Sequence, residues 1–251
     1  MEDTGSLLVR VDAVRRDEKG VSAFVDEVCL ERTYTLSFNG AAVGALVASP
    51  GMLRELGAGF AISEGLARSV EDVEVDGSRI MVRGTAVEAP GAGVTGTSGG
   101  LSTGRIVGAV ASRVRIDVED IARVMASIVS PLWERTGGAH CSVLYKDGEV
   151  VAKSSDVGRH NTVDKVIGSG VLAGVDLSGC VLGCTGRQPA GMVVKAVNAG
   201  IPVIVSKAAT TDEGVRLARA HGVTLVCRAK DGAFNVYAHP ERIRGLGASR
   251  G

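Results

Sequence analysis

CVLGCTGRQPAGMVVKAVNAGIPVIVSKAATTDEGVRLARAHGVTLVC, residues 180–227, alternates two patterns. Cys180–Gly183, Ile201–Val205 and Val223–Cys227 are short apolar runs of strand length. Two helix-length segments separate them. Pro189 suits the first turn of a helix running to Asn198, and Gly200 ends it. Asp212–His221 is the second helix, closed by Gly222. A β-α-β-α-β order requires right-handed crossovers and gives a parallel sheet, so the region predicts an α/β fold.

The pattern extends outward on both sides. Asp117 is a good N-cap for a helix with apolar residues at 121, 124, 125, 128 and 132, which Pro131 should kink or end. Ala139–Tyr145 and Glu149–Lys153 read as strands joined through Asp147-Gly148, and Thr162–Ile167 as a short helix. Asp231-Gly232 turns the chain into Phe234–Tyr237. Residues 1–112 are strand-rich: Val21–Leu30 and Thr33–Phe38, then the hairpin signal Asn39-Gly40 and a return through Ala41–Ala48. Leu53–Leu66 carries helical spacing, and Asp76-Gly77 marks another hairpin. Thr85–Arg105 is rich in Gly, Ser and Thr without periodicity, which predicts a flexible loop. The expected division is a smaller strand-rich N-terminal domain at 1–112, with that loop, and an α/β domain at 113–251.

Composition narrows the function. With 251 residues and 45% hydrophobic character the chain can bury a sizeable core. Its 28 basic and 28 acidic residues balance, so no global field favours nucleic acid. Aromatic residues, at 3%, are too few for a stacking platform along single strands. The start Met1-Glu2-Asp3 lacks a basic region followed by an apolar one, and no apolar run approaches membrane-spanning length. The expectation is a cytoplasmic protein without membrane or nucleic-acid partners. Its five cysteines have no disulfide-framework spacing and read as thiols.

In open α/β sheets, ligands bind beyond the carboxyl ends of the strands. Three loops fall there. Cys184-Thr185-Gly186-Arg187-Gln188 runs into a helix whose first N–H groups suit an anion, and Arg187 adds a planar charged fork. Ser206–Thr211 also precedes a helix. The third loop is Arg228-Ala229-Lys230-Asp231-Gly232-Ala233. Together they suit a phosphate-bearing ligand, although turns of this kind also serve simply as connections. The densest polar stretch is Lys153–Lys165, where Asp156, Gly158, Arg159, His160 and Asn161 form a turn able to present a fork, an imidazole and an amide. A structural salt-bridge cluster is the other reading of it. His140-Cys141 invites comparison with zinc deaminases. Ser142 stands where the proton-shuttling Glu is needed, and Cys180 and Cys184 are one residue too far apart, so zinc is not expected. Cys184, before a helix and beside Arg187, has a setting that can lower a thiol pKa, but packing is the role expected of it first.

Lys153-Ser154-Ser155-Asp156-Val157-Gly158-Arg159-His160-Asn161-Thr162-Val163-Asp164-Lys165 closely resembles the signature of the FdhD/NarQ family, the formate dehydrogenase accessory sulfurtransferases. Ser49-Pro50-Gly51, Gly59–Gly65, Thr136–His140, Gly186-Arg187, Lys195–Pro202 and Phe234–Ile243 agree in order, so the resemblance spans about 35–243. It implies a cytidine-deaminase-like C-terminal domain. It also implies sulfur transfer from a cysteine desulfurase to the molybdenum (or tungsten) bis-molybdopterin guanine dinucleotide cofactor, before insertion into apo formate dehydrogenase. GDP would serve as an analogue of that client. By the same resemblance the Arg228–Ala233 loop, the Asp156–Asn161 turn, Gly186 and Arg187 would hold the cofactor. A homodimer is the expected assembly, since two-fold dimers are the commonest oligomers and that cofactor bears two guanines. One departure matters. The family's Cys-x-x-Cys, whose first cysteine carries the persulfide, corresponds here to Val94–Gly100, and no cysteine lies between Cys29 and Cys141. Sulfur transfer then needs a substitute thiol, Cys184 or Cys141. The alternative is a cofactor-binding chaperone without sulfur chemistry.

Overall fold

A computed structural model describes residues 4–88, 95–97 and 100–247. Asn39-Gly40, Asp147-Gly148 and Asp231-Gly232 each hold positive φ at both positions, as tight two-residue hairpin turns require. These turns set the strand order. Strands β1 (Leu8–Asp17) and β2 (Gly20–Cys29) form a separate two-stranded ribbon. Strands β3 (Arg32–Phe38) and β4 (Ala41–Ala48) precede helix α1 (Leu53–Ser63), and β5 (Ala67–Asp76) and β6 (Arg79–Ala86) follow it. These four strands make one sheet in the order β4-β3-β6-β5.

Of the loop expected at 85–105, residues 89–94 and 98–99 lie outside the described residues. Its remainder contains a short antiparallel pair, β7 (Thr95–Thr97) with β8 (Gly100–Ser102). Beyond β9 (Ile116–Asp117), α2 (Val118–Ser127) starts on an Asp117–Asp120 capping box. Pro131 does not kink this helix. It opens a second one, α3 (Pro131–Thr136), capped by Ser130.

Strands β10 (His140–Lys146) and β11 (Glu149–Asp156) lead into α4 (Arg159–Leu172), which starts three residues earlier than expected. The supposed Gly158–Asn161 turn is therefore an N-cap and a first helical turn. Next come β12 (Val181–Cys184), α5 (Ala190–Asn198), β13 (Val203–Ser206), α6 (Asp212–Ala220), β14 (Thr224–Lys230) and β15 (Ala233–Ala238). The final strand, β16 (Ile243–Arg244), pairs with β9. The six-stranded sheet has the order β11-β10-β12-β13-β14-β15, and β12, β13 and β14 are parallel as the sequence predicts.

Strand alternation sorts the core into two layers. Val143, Val181, Val203, Val205 and Val226 pack with Ile121 and Val124 of α2 on one face. Leu144, Leu182, Ile204 and Leu225 belong to a larger cluster on the other face, with Val163, Ile167 and Met192. That cluster also takes Leu36, Leu56, Phe60 and Ile80, so one apolar core spans both sides of residue 112. Among the described residues no helix is long and apolar enough to cross a membrane.

Candidate functional site

The three loops predicted at the carboxyl edge are stitched together by their own backbone. Lys207 N–H donates to Cys184 O (3.1 Å), Gln188 N–H to Ala209 O (2.9 Å) and Arg228 N–H to Ala208 O (2.9 Å). Beneath them, Ser206 Oγ and Gln188 Nε2 both donate to Gly186 O, at 2.7 and 2.8 Å. The rim is thus set by pairing within the sheet edge.

Two cavities open between this rim and the outer helices. The first, about 580 Å³, lies between Ala122 and Met125 of α2 and the β14–β15 turn, with Ala229, Lys230, Asp231, Gly232 and Ala233 along its wall. The second, about 570 Å³, is lined by Ser130, Trp133, Gly138, His140 and Thr185 among others. Lys207 lines both, so they adjoin at its side chain. Arg228 lines neither; it is exposed on the outer side of the β14 bulge, with a left-handed φ of 55°.

Arg187 of the first loop and Arg159 of α4 likewise line neither cavity, but Arg159 is near enough to His140, on the wall of the second, to act on its charge. Arg159 packs its methylenes over Gly186, where an added Cβ would lie 2.9 Å from Arg159 Cβ. Burial, together with the nearby Arg187 charge, pushes the Arg159 guanidinium below its ordinary pKa. Its buried Nε has no hydrogen-bond partner. His140, 3.2 Å from Thr185 Oγ1 through Nδ1, is also held below its ordinary value, by burial and then by Arg159. Like charges brought together beside an orphaned donor define a place where an anion relieves repulsion.

The rest of the polar signature is spent inside the protein. Asp156 is fully buried and accepts from Ser49 N–H (3.0 Å), Gly158 N–H (2.8 Å), Asn161 Nδ2 (2.9 Å) and Lys165 Nζ (2.6 Å). Asn161 Nδ2 also donates to Val47 O at 2.7 Å. Lys165 Nζ reaches Ser49 O at 3.0 Å. Ser49-Pro50-Gly51 and the Asp156–Asn161 segment therefore lock the end of β4 onto the start of α4. For these residues the salt-bridge-cluster reading describes the geometry.

His160 is 4% exposed, and its Nδ1 has no partner. Burial first, then the Lys195 and Arg159 charges, lower its pKa to about 3. The unfolded chain takes up a proton near pH 6.5 that the native state refuses until about pH 3, so stability falls as pH drops through this window. At pH 5 this amounts to roughly 2 kcal/mol. His160→Asn is expected to flatten the fall in urea midpoint between pH 7.5 and 5, and an unchanged slope would refute the assignment.

Cys184 takes the packing role rather than that of an activated thiol. Its thiol is buried, and burial pushes its pKa up to about 12, outweighing the hydrogen bonds of Ser142 and Gln188 that lower it. Burial likewise raises Cys227 to about 12 and Cys180 to about 11. Cys141 is buried too, which leaves Cys29 as the one thiol that is not. Cys29 Sγ lies 3.1 Å from Thr136 Oγ1, behind the Gly137–Gly138 wall of the second cavity. Among the described residues no group of three His, Cys, Asp or Glu side chains is placed to hold a metal ion.

The α2 wall, Trp133 and the role of Lys207 as the link between cavities lie beyond what the three loops predict. The signal for Trp133 was present, since the lone Trp of the chain follows a Ser-Pro helix start. Met125 was hidden because it falls on the apolar stripe of α2.

Known proteins agree with this architecture. A crystal structure from Desulfotalea psychrophila, described as that of a formate dehydrogenase accessory protein, superposes with a TM-score of 0.80 at 28% identity, covering 94% of this chain and 99% of that one. A sulfur carrier protein FdhD from Methanothermobacter thermautotrophicus is 33% identical, covering 95% of this chain and 99% of the relative. A protein FdhD from Methanocaldococcus jannaschii is 34% identical over 84% of this chain and 88% of its own length. The family model described as FdhD/NarQ matches residues 29–244. With that span of agreement, the chain belongs to the FdhD/NarQ family.

Proposed function

We propose that this chain is a cytoplasmic accessory protein of formate dehydrogenase that receives the bis-molybdopterin guanine dinucleotide cofactor as client and delivers sulfur to it before insertion. The observation that carries the cofactor part is a pair of adjoining cavities lined by Lys207 and Lys230, with Arg159 and Arg187 brought together close to His140 of the second. The cations suit pyrophosphate, and the cavities suit flat ring systems. The names of the relatives support sulfur carriage. A homodimer would offer one such pair to each guanine half of the client.

The test of the cofactor reading is GDP binding by calorimetry. Wild type is expected to bind, and Arg187→Ala or Lys230→Ala to weaken binding by about tenfold each, the worth of one charge-assisted hydrogen bond. No binding at millimolar GDP would sink the reading.

Sulfur carriage needs a thiol that a cysteine desulfurase can reach, and among the five only Cys29 is not buried. The stretch to which the family resemblance assigns the persulfide cysteine, residues 94–100, has no cysteine here. These two facts favour a second reading, in which the chain holds and presents the cofactor without carrying sulfur itself. Incubation with desulfurase and cysteine, followed by peptide mapping, separates the two. A persulfide on Cys29 supports sulfur carriage. An unmodified chain, under conditions that load a relative with the Cys-x-x-Cys loop, supports the holding role.

A further inference from the structure

The β1–β2 ribbon is the least accounted-for element of the fold. Its strands are ten residues each, and among the described residues neither pairs with any other strand. An isolated two-stranded ribbon is marginal in water, and free edges are ordinarily guarded by charge. Its two edges differ in that respect.

The two-residue turn Glu18-Lys19 makes Asp17↔Gly20 the closing hydrogen-bonded pair. The register then points the N–H and C=O groups of Arg10, Asp12, Val14 and Arg16 out along the free edge of β1. On β2 the outward residues are Val21, Ala23 and Val25, followed by Glu27. The β1 edge is charged and guarded. The β2 edge is apolar and unguarded: Val21 is 71% exposed and Val25 50%.

We propose that the β2 edge pairs antiparallel with β2 of a second copy of this chain about a two-fold axis at Ala23, joining two ribbons into a four-stranded sheet. In that register Ala23 faces Ala23 of the second copy, and each Val21 faces the second copy's Val25. All three are residues whose backbone groups already point outward, so every new pair is a hydrogen-bonded one. The apolar side chains share one face with Val14, which is 71% exposed and lies opposite Ala23 in its own ribbon. The flanks are complementary in charge. Each Lys19 comes opposite Glu27 of the second copy, which Arg135 holds at 2.6 Å at the ribbon base. An isologous contact needs self-complementarity of this kind.

The inference rests on the two-fold assembly proposed above but on none of its ligand chemistry. Sedimentation of the ligand-free full chain over a concentration series is expected to show a dimer. Ala23→Pro removes an N–H that the protomer does not use, at an edge position that tolerates proline. It is expected to raise the dimer dissociation constant about tenfold or more, because two intermolecular hydrogen bonds are lost. Ala23→Cys, on the axis, is expected to give a covalent dimer on mild oxidation, whereas Val21→Cys or Val14→Cys alone is not. A monomeric wild type would overturn the proposal. So would a dimer that Ala23→Pro leaves intact and Ala23→Cys does not trap, or one that Val14→Cys traps instead. GDP binding is read separately, so failure of the ribbon interface leaves the cofactor reading standing, and the reverse.

Discussion

Gly168→Ala is expected to destabilise the protein by roughly 3–4 kcal/mol and to lower its melting temperature by about 10 °C. The cause is the crossing of α1 and α4. A Cβ on Gly168 would overlap the carbonyl oxygen of Glu55 and approach Gly59 N to 2.8 Å. A Cβ on Gly59 would overlap the carbonyl oxygen of Asp164. Both obstacles are backbone, which cannot swing aside as a side chain can. Helix propensity alone argues the opposite sign, since Ala in a helix interior is favoured over Gly by about 1 kcal/mol. Gly191→Ala in α5 is the control. Its new methyl would meet His160 Cε1 at 3.5 Å, an ordinary contact, so propensity should dominate and the melting temperature hold or rise. Equal behaviour of the two variants would show that the helices do not cross as closely as described.

That crossing also shows where sequence reading ends. The strands between 180 and 227 were legible because short apolar runs alternate with capped helical spacing, a local signal. The hairpins at Asn39-Gly40 and Asp147-Gly148 were legible for the same reason. The start of α4 was not. Lys153–Lys165 is polar enough to read as a loop, yet Asp156, Lys165 and Asp164 are buried, each neutralised by a partner. One partner group, Ser49, is 107 residues from Asp156, a pairing no local pattern reveals. Cys184 was legible only as a choice between two roles. The helix start and Arg187 were visible, but the burial that settles it as a packed thiol depends on the whole fold. The rim itself was legible at loop level through the strand-edge rule. Its outer wall was not, because the cavity-facing side of α2 has the same spacing as a core stripe. Strand β1 was missed because Asp12, Arg15, Arg16 and Asp17 make it polar, which is how a strand outside the core reads.

Lys195→Met is expected to cost roughly 3–5 kcal/mol at neutral pH, the range for breaking a buried ion pair by removing one partner. Lys195 Nζ is fully buried, 2.7 Å from Glu64 Oε1, 2.8 and 3.0 Å from the two Asp164 oxygens and 3.1 Å from Ser63 Oγ. One ammonium therefore serves two carboxylates. Burial lifts the Asp164 pKa to about 6 even with the cation present. Burial would lift Glu64 as well, but Lys195, Thr103 N–H and Ser102 Oγ more than offset it and hold Glu64 below its ordinary value. Without Lys195 both carboxyl groups must bind protons in the folded state, with pKa values well above those of the unfolded chain. A raised acid pKa removes stability as pH rises, so the deficit of the variant should be largest near pH 8 and shrink toward pH 5. The same change should be felt at the root of the glycine-rich loop. Glu64 Oε2 accepts from Thr103 N–H at 2.7 Å and from Ser102 Oγ at 3.0 Å, and Asn198 Oδ1 accepts from Val107 N–H at 3.0 Å. The network thus ties the returning end of the glycine-rich segment to α1 and α5. Hydrogen exchange at Thr103 is expected to speed up in Lys195→Met, and Val107, whose N–H is held by Asn198 Oδ1, to change less. A pH-independent deficit with Thr103 protection unchanged would reduce Lys195 to a packing residue and cut the link between the buried charges and the loop.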